Sequence, residues 1–286
     1  MKHILIPLAA LLLVCGCKSA PEFKVMARAV PERADDFVFE NDLVAGRFYG
    51  EALEGNPTSP GIDIWVKMPG ALVADSWYAG AQTDPEYYHH NHGGKDCYKV
   101  AVSLGGGASS PFIDGKICYP ATNYRACEVL TLEPGKVVFA LDYPEWEAAE
   151  GVKVSLHKQV TLESGTYFAD VVDTYTFTGV DSLQVAAGMK LHSSQSTVEA
   201  TDETTTSYAI WEQASDQSLE LEDGRIGVAV IMPGAEKVLA SEELDHALLI
   251  KTVTSGEPVC YRFGSCWSKA GIENASDWFA QVHTQY

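Results

Sequence analysis

Between Val154 and Phe177 apolar and polar positions alternate with a period of two, the pattern of strands that bury one face. Val154, Leu156, Lys158, Val160 and Leu162 share one face, and Tyr167, Ala169, Val171, Asp173, Tyr175 and Phe177 resume it after Ser164-Gly165. A two-residue turn at Ser164-Gly165 predicts a hairpin with Lys158 opposite Val171 and diagonal to Asp173. The two charges then share an otherwise apolar face. They form either a buried ion pair or the floor of a polar cleft, and the cost of burying charge favours the cleft.

The same period predicts strands over residues 37–40, 42–49, 62–67, 124–132, 136–143, 183–192, 208–213, 226–232, 247–253 and 259–263. Turn formers separate them, as in the Gly55–Gly61 run of Gly, Asn, Pro, Thr and Ser. Residues 87–107 read as a long loop that enters a strand near Tyr98, and residues 193–207 as an exposed loop. One short C-terminal helix is predicted, capped by Ser276, with Trp278, Phe279 and Val282 on one face. A dozen or more strands and almost no helix imply an all-β sandwich, one domain over residues 35–286.

Charge narrows the list of partners. Acids outnumber bases 39 to 20, a formal net charge of −19, which excludes nucleic acid and anionic lipid surfaces. Lys2 and His3 precede an apolar run, Ile4–Val14, that is too short to span a bilayer, so residues 1–16 read as a signal peptide. Val14-Cys15-Gly16-Cys17 has the small-residue pattern of a lipoprotein signal. Cys17 is the expected lipidated residue, because Val14 is bulky before Cys15. A multiply acylated cysteine suffices for stable anchoring, so the membrane is contacted through the lipid alone. Residues 17–34 then form a polar tether, and the protein faces the periplasm or lies on the outer surface of the outer membrane. That oxidising location permits Cys118–Cys127 and Cys260–Cys266 disulfides on spacing, with Cys97 left over.

Candidate chemistry concentrates in residues 87–107, with His89, His90, His92, Asp96 and Tyr98. His-His-x-His with Asp84, Glu86 and Asp96 supplies donors for zinc, iron or copper, but no helix sets two histidines four apart, and neither a metal nor another cofactor is expected. Proton transfer suits these residues better: His89 and His92 as proton carriers, Glu212 as base and Tyr98 as a helper. Arg47 and Lys158 are the cations to hold a carboxylate, with Asp96, Asp173, His192 and Trp267 as further ligand contacts. Glu212 and Asp173 are the pair a two-carboxylate glycosidase would need. Binding without turnover would instead use Trp65, Trp77, Trp146, Trp211 and Trp267 as sugar platforms.

The runs Glu40–Gly50, Gly61–Lys67, Tyr88–Val100, Leu104–Gly107 and Gly264–Lys269 together resemble a family of secreted Bacteroidetes proteins grouped as domain of unknown function 4861. Members are encoded with or fused to polysaccharide-degrading enzymes such as unsaturated glucuronyl hydrolases, so the resemblance implies glycan use. A second likeness is to galactose mutarotases. His92-Gly93-Gly94 is similar to their His-Gly-Gly loop, His192 to their second histidine and Glu212 to their glutamate base, which implies a supersandwich. The combined expectation is an envelope-anchored protein acting on sugars from polysaccharide breakdown, uronate-containing oligosaccharides or monosaccharides. The expected reaction is epimerase-like, mutarotase-like or lyase-like, and the alternative is a non-catalytic glycan-binding lipoprotein.

Overall fold

The computed structural model describes residues 22–54, 61–192, 197–202, 206–214 and 221–285; the signal segment, Cys15 and Cys17 lie outside them. Period-two alternation becomes strand almost throughout. In chain order the strands are β1 (Val25–Val30), β2 (Asp36–Asn41), β3 (Ala45–Phe48), β4 (Ile62–Lys67), β5 (Gly94–Asp96), β6 (Ser109–Ile113), β7 (Lys116–Ile117), β8 (Ala126–Glu133) and β9 (Lys136–Ala149). They continue as β10 (Val152–Glu163), β11 (Phe168–Thr178), β12 (Leu183–Lys190), β13 (Val198–Asp202), β14 (Ser207–Gln213), β15 (Arg225–Ile231), β16 (Lys237–Ser241), β17 (His246–Val253) and β18 (Pro258–Trp267). The described residues also form two α-helices, α1 (Ala74–Ala81) and α2 (Ala275–His283), and short 3-10 turns such as Tyr87–His89.

These strands form an all-β supersandwich of three antiparallel sheets. An eight-stranded sheet, ordered β13-β14-β15-β18-β11-β10-β9-β8, carries two five-stranded sheets, β1-β2-β3-β4-β5 and β16-β17-β12-β6-β7. Both small sheets lie against the large one, β1, β2 and β4 over β8 to β10 and β18, and β12 and β17 over β14, β15 and β18. One core joins all three, with Phe39 from the first sheet, Phe139 and Phe263 from the large sheet and Leu248 from the third. Trp278 of α2 stacks on Phe168 at a centroid distance of 5.4 Å in a separate cluster with Cys266.

Several elements differ from the sequence expectation. β1 lies within residues read as tether, where Ala27 pairs with Phe39 and Val25 is buried. The strand expected near Tyr98 is β5, which ends at Asp96, and β13 occupies part of the loop expected over 193–207. Asn274, not Ser276, caps α2, accepting from the Asp277 amide. The five described cysteines are free. Cys260 and Cys266 lie on the single strand β18, roughly 20 Å apart at the rise of an extended chain, far beyond disulfide reach.

The hairpin of β10 and β11 pairs Lys158 directly with Asp173 and Val160 with Val171. Its connection is a four-residue loop, so the register is offset by two from the expected one. An even offset keeps every side chain on its face. The pair is a buried ion pair rather than a cleft floor: Lys158 Nζ lies 2.6 and 2.8 Å from the Asp173 oxygens, and both residues are at most 1 % exposed. Ser109 and Tyr261 donate hydroxyls to Asp173, and the Tyr175 hydroxyl meets Ser109 at 2.7 Å.

One turn joins the two small sheets. Gly105 has φ of +59°, and a Cβ there would meet the Ile62 carbonyl oxygen at 2.2 Å, so only glycine fits. Its carbonyl accepts from the Tyr98 hydroxyl and the Lys190 amide. The neighbouring Leu104 amide donates to His246 Nε2 at 3.0 Å, while His246 Nδ1 donates to the Leu244 carbonyl. Those roles require a neutral ring, and burial, helped by the charges of Lys190 and His192, holds the His246 pKa below its ordinary value. A depressed histidine pKa contributes stability above the unfolded value that is lost as pH falls. We therefore expect the melting-temperature gap between wild type and His246→Gln to shrink between pH 7.5 and 5.5; a gap independent of pH would contradict the neutral ring.

Candidate active-site cleft

Alternation in the first sheet sorts its residues into two faces. Phe37, Phe39, Phe48, Ile62, Ile64 and Val66 enter the core. The opposite parity, Asp36, Arg47 and Asp63 with Val38, Ala45 and Trp65, faces outward beneath α1. Register gathers the charges, because Arg47 pairs with Asp63 across β3 and β4, and Trp65 pairs with Asp96 across β4 and β5. Arg47 Nε donates to Asp63 Oδ2 at 2.7 Å and Nη2 to Asp96 Oδ2 at 2.9 Å. Asp36 lies 3.5 Å from Nη1 and is also paired with Arg33 at 3.1 Å. The rings of Tyr88, Trp65 and Tyr49 surround the guanidinium at 5.1, 5.3 and 5.4 Å.

A cleft of about 230 Å³ opens on this cluster, lined by Arg47, Tyr49, Asp63, His89, Asp96 and Cys97 to Lys99. Within it Asp63 Oδ1 is buried and has no hydrogen-bond partner, a costly state for a carboxylate oxygen unless a ligand donor meets it. Burial and then the Asp63 charge raise the Asp96 pKa well above the carboxylate range, against the opposing pull of Arg47. Burial likewise lifts Asp36 to about 6. Burial opposes charge on Arg47 too, but its carboxylate partners, Asp63 first, outweigh it and keep the guanidinium charged. Two neighbouring carboxyls, one whose pKa is pushed up and one with an open oxygen, can serve as an acid and a proton acceptor. His89 Nδ1 sits 3.1 Å from the Asp96 carbonyl, which only accepts, so Nε2 is the nitrogen left for a ligand. Burial raises the Cys97 thiol pKa, which keeps it from acting as a thiolate.

A second carboxylate adjoins the cleft wall. Glu212, fully buried on β14, meets His192 Nδ1 through Oε1 at 3.0 Å, while its Oε2 is unpartnered. His192 Nε2 donates to the Lys99 carbonyl at 2.8 Å, and the ring stands edge-on to Tyr98 at 5.0 Å.

The model of the family described as Domain of unknown function (DUF4861) matches residues 17–285. The chain belongs to this family. A curated relative, "Uncharacterized protein P7" of Formosa agariphila, is 31 % identical over 262 residues, covering 85 % of this chain and 62 % of the relative. The chain thus spans less than two thirds of that relative's length. Among solved structures, the GH36 alpha-galactosidase AgaB from Geobacillus stearothermophilus overlaps 86 % of this chain and 41 % of its own, at 8 % identity and a TM-score of 0.41.

The motifs that carry the DUF4861 likeness divide between cleft and scaffold. His89, Asp96, Tyr98 and Arg47 come together at the cleft. His92 does not: it is exposed and stacks on Tyr87 at 3.8 Å, in a turn where the Asn91 side chain accepts from the Gly93 and Gly94 amides. Among the described residues no three His, Cys, Asp or Glu side chains converge as metal ligands. Arg47 is saturated by three aspartates and is not open to a ligand carboxylate, and Lys158 and Asp173 lie in the core away from the cleft. Glu212 is enclosed behind His192, so the Glu212–Asp173 glycosidase pair does not face a common space. Trp267 is buried and donates to the Asp223 carbonyl. Sequence reading missed Asp63, Asp36, Tyr49 and Lys99. The signal for Asp63 was its place among Ile62, Ile64 and Val66, opposite in parity to the core residues.

Proposed function

We propose that this protein is an envelope-anchored carbohydrate-active enzyme that moves a proton on a sugar held in the Arg47–Asp63–Asp96 cleft. The observation that carries this reading is the unpartnered Asp63 oxygen beside the Asp96 carboxyl, whose pKa burial and the Asp63 charge push up. In a mutarotase-like or epimerase-like step, Asp96 donates its proton to a ring or leaving oxygen while Asp63 accepts one from a hydroxyl. His89 Nε2 holds a neighbouring hydroxyl. The cleft volume falls below the roughly 300–1,000 Å³ of pockets for drug-sized ligands, which suits one sugar residue. All six tryptophans are buried, which removes the exposed indole platforms that a non-catalytic binder would use. Lipidation of Cys17 would hold the enzyme at the membrane among products of polysaccharide breakdown.

The test is incubation of the purified protein with mono- and oligosaccharides, acidic ones included, followed by NMR for anomeric exchange, epimerisation and new double bonds. We expect turnover of at least one sugar and its loss in Asp63→Asn. Absence of turnover together with ligand shifts at the cleft would make the protein a binder.

A further inference from the structure

Arg47, the obvious cation for an acidic sugar, is consumed by three aspartates. The cleft contains one other cation. Lys99 lines it, is exposed, and its ammonium makes no ion pair or hydrogen bond among the described residues. In a chain with 39 acids against 20 bases an unpaired lysine beside a carboxylate cluster is conspicuous. Its backbone is fixed as well, since the Lys99 carbonyl accepts from His192 Nε2 and His192 Nδ1 shares a proton with buried Glu212. Glu212 on the large sheet thus reaches through His192 to the one residue that carries the free charge.

Resting on the proton-transfer reading of the cleft, we infer that Lys99 is the specificity-determining residue for an anionic substituent, a carboxylate or sulfate ester, on the bound sugar, and that His192 and Glu212 are the positioning residues that hold it. Arg33 and Arg47 offset the charges of Asp36 and Asp63, and the raised pKa of Asp96 favours its neutral form, so the inner cleft carries little excess negative charge against such a ligand. The neutral part of the sugar then meets Asp63, Asp96 and His89, and its anionic group lies toward the exposed rim at Lys99.

The experiment is NMR titration of the full-length lipidated protein in detergent with a methyl glucuronoside, the matching methyl glucoside and its 6-sulfate. We expect the wild type to bind at least one anionic sugar about tenfold more tightly than the neutral one, a preference of the size a charge-assisted hydrogen bond gives, and to lose it with added salt. Lys99→Gln should abolish the preference without changing neutral-sugar affinity. His192→Gln should reduce the same ratio, with no further loss in the double variant. The glucuronoside and the sulfate arms tell carboxylate from sulfate. Equal binding of all three sugars with shifts at the cleft, or an unchanged ratio in Lys99→Gln, overturns the inference and leaves the cleft reading standing. If no sugar shifts cleft resonances, the cleft reading falls and the inference with it. An equal fall in affinity for all three sugars in His192→Gln refutes the positioning role.

Discussion

On the proposed proton transfer, replacing Asp96 by Asn should remove turnover, by about 100-fold or more in kcat, while the protein keeps its fold. The asymmetry follows from protonation. Burial and the neighbouring Asp63 charge push the Asp96 pKa up and favour its neutral form, and an uncharged carboxamide keeps its shape and can still accept from Arg47 Nη2 at the position now 2.9 Å away. What it lacks is a proton to give. Asp63→Asn behaves differently, because it withdraws the charge that Arg47 Nε contacts at 2.7 Å and leaves a buried guanidinium undercompensated. Steady-state kinetics and thermal melts on both variants check this: Asp96→Asn should melt within a few degrees of wild type, and Asp63→Asn clearly lower. An active Asp96→Asn enzyme would remove the residue from the mechanism.

Asp173→Ala should cost about 3–5 kcal/mol of stability, the usual consequence of stranding one member of a buried ion pair. Lys158 would then lie fully enclosed among apolar neighbours of the shared core with its carboxylate gone, and burial already depresses its pKa against the support Asp173 gives. The companion variant Lys158→Met/Asp173→Leu removes both charges and should unfold within about 1–2 kcal/mol of wild type, or above it. Urea unfolding of both variants decides the matter. A cost below about 1 kcal/mol for Asp173→Ala would mean that the pair is solvated, as a cleft floor would be.

The strands were legible because alternation is a local property, and the shared face of Lys158 and Asp173 survived a register error of two. What local pattern does not carry is the environment of that face, which depends on the small sheets above it. The cleft was half legible for the same reason. Arg47, His89, Asp96 and Tyr98 stood out by residue type, but Asp63 joins them only through pairing of β3 with β4 and β4 with β5, across connections that local periodicity cannot register. α1 escaped notice because its cap is distant: Glu40 on β2 accepts from the Val73 and Ala74 amides and pairs with Lys67 at 2.9 Å. His92 misled because a histidine followed by two glycines resembles a ligand loop, whereas here Asn91 closes the turn and directs the ring onto Tyr87.

The outward placement of the acid cluster separates the cleft from the core. Asp36, Arg47 and Asp63 occupy the parity of the first sheet that the shared core does not use, beneath α1 and the turn carrying Tyr88 and His89. Substitutions in residues 73–99 can therefore reshape the cleft while Phe37, Phe39 and Ile64 keep the core packed. The fold and the cleft lining thus rest on different faces of one sheet, so a change of lining need not disturb the core.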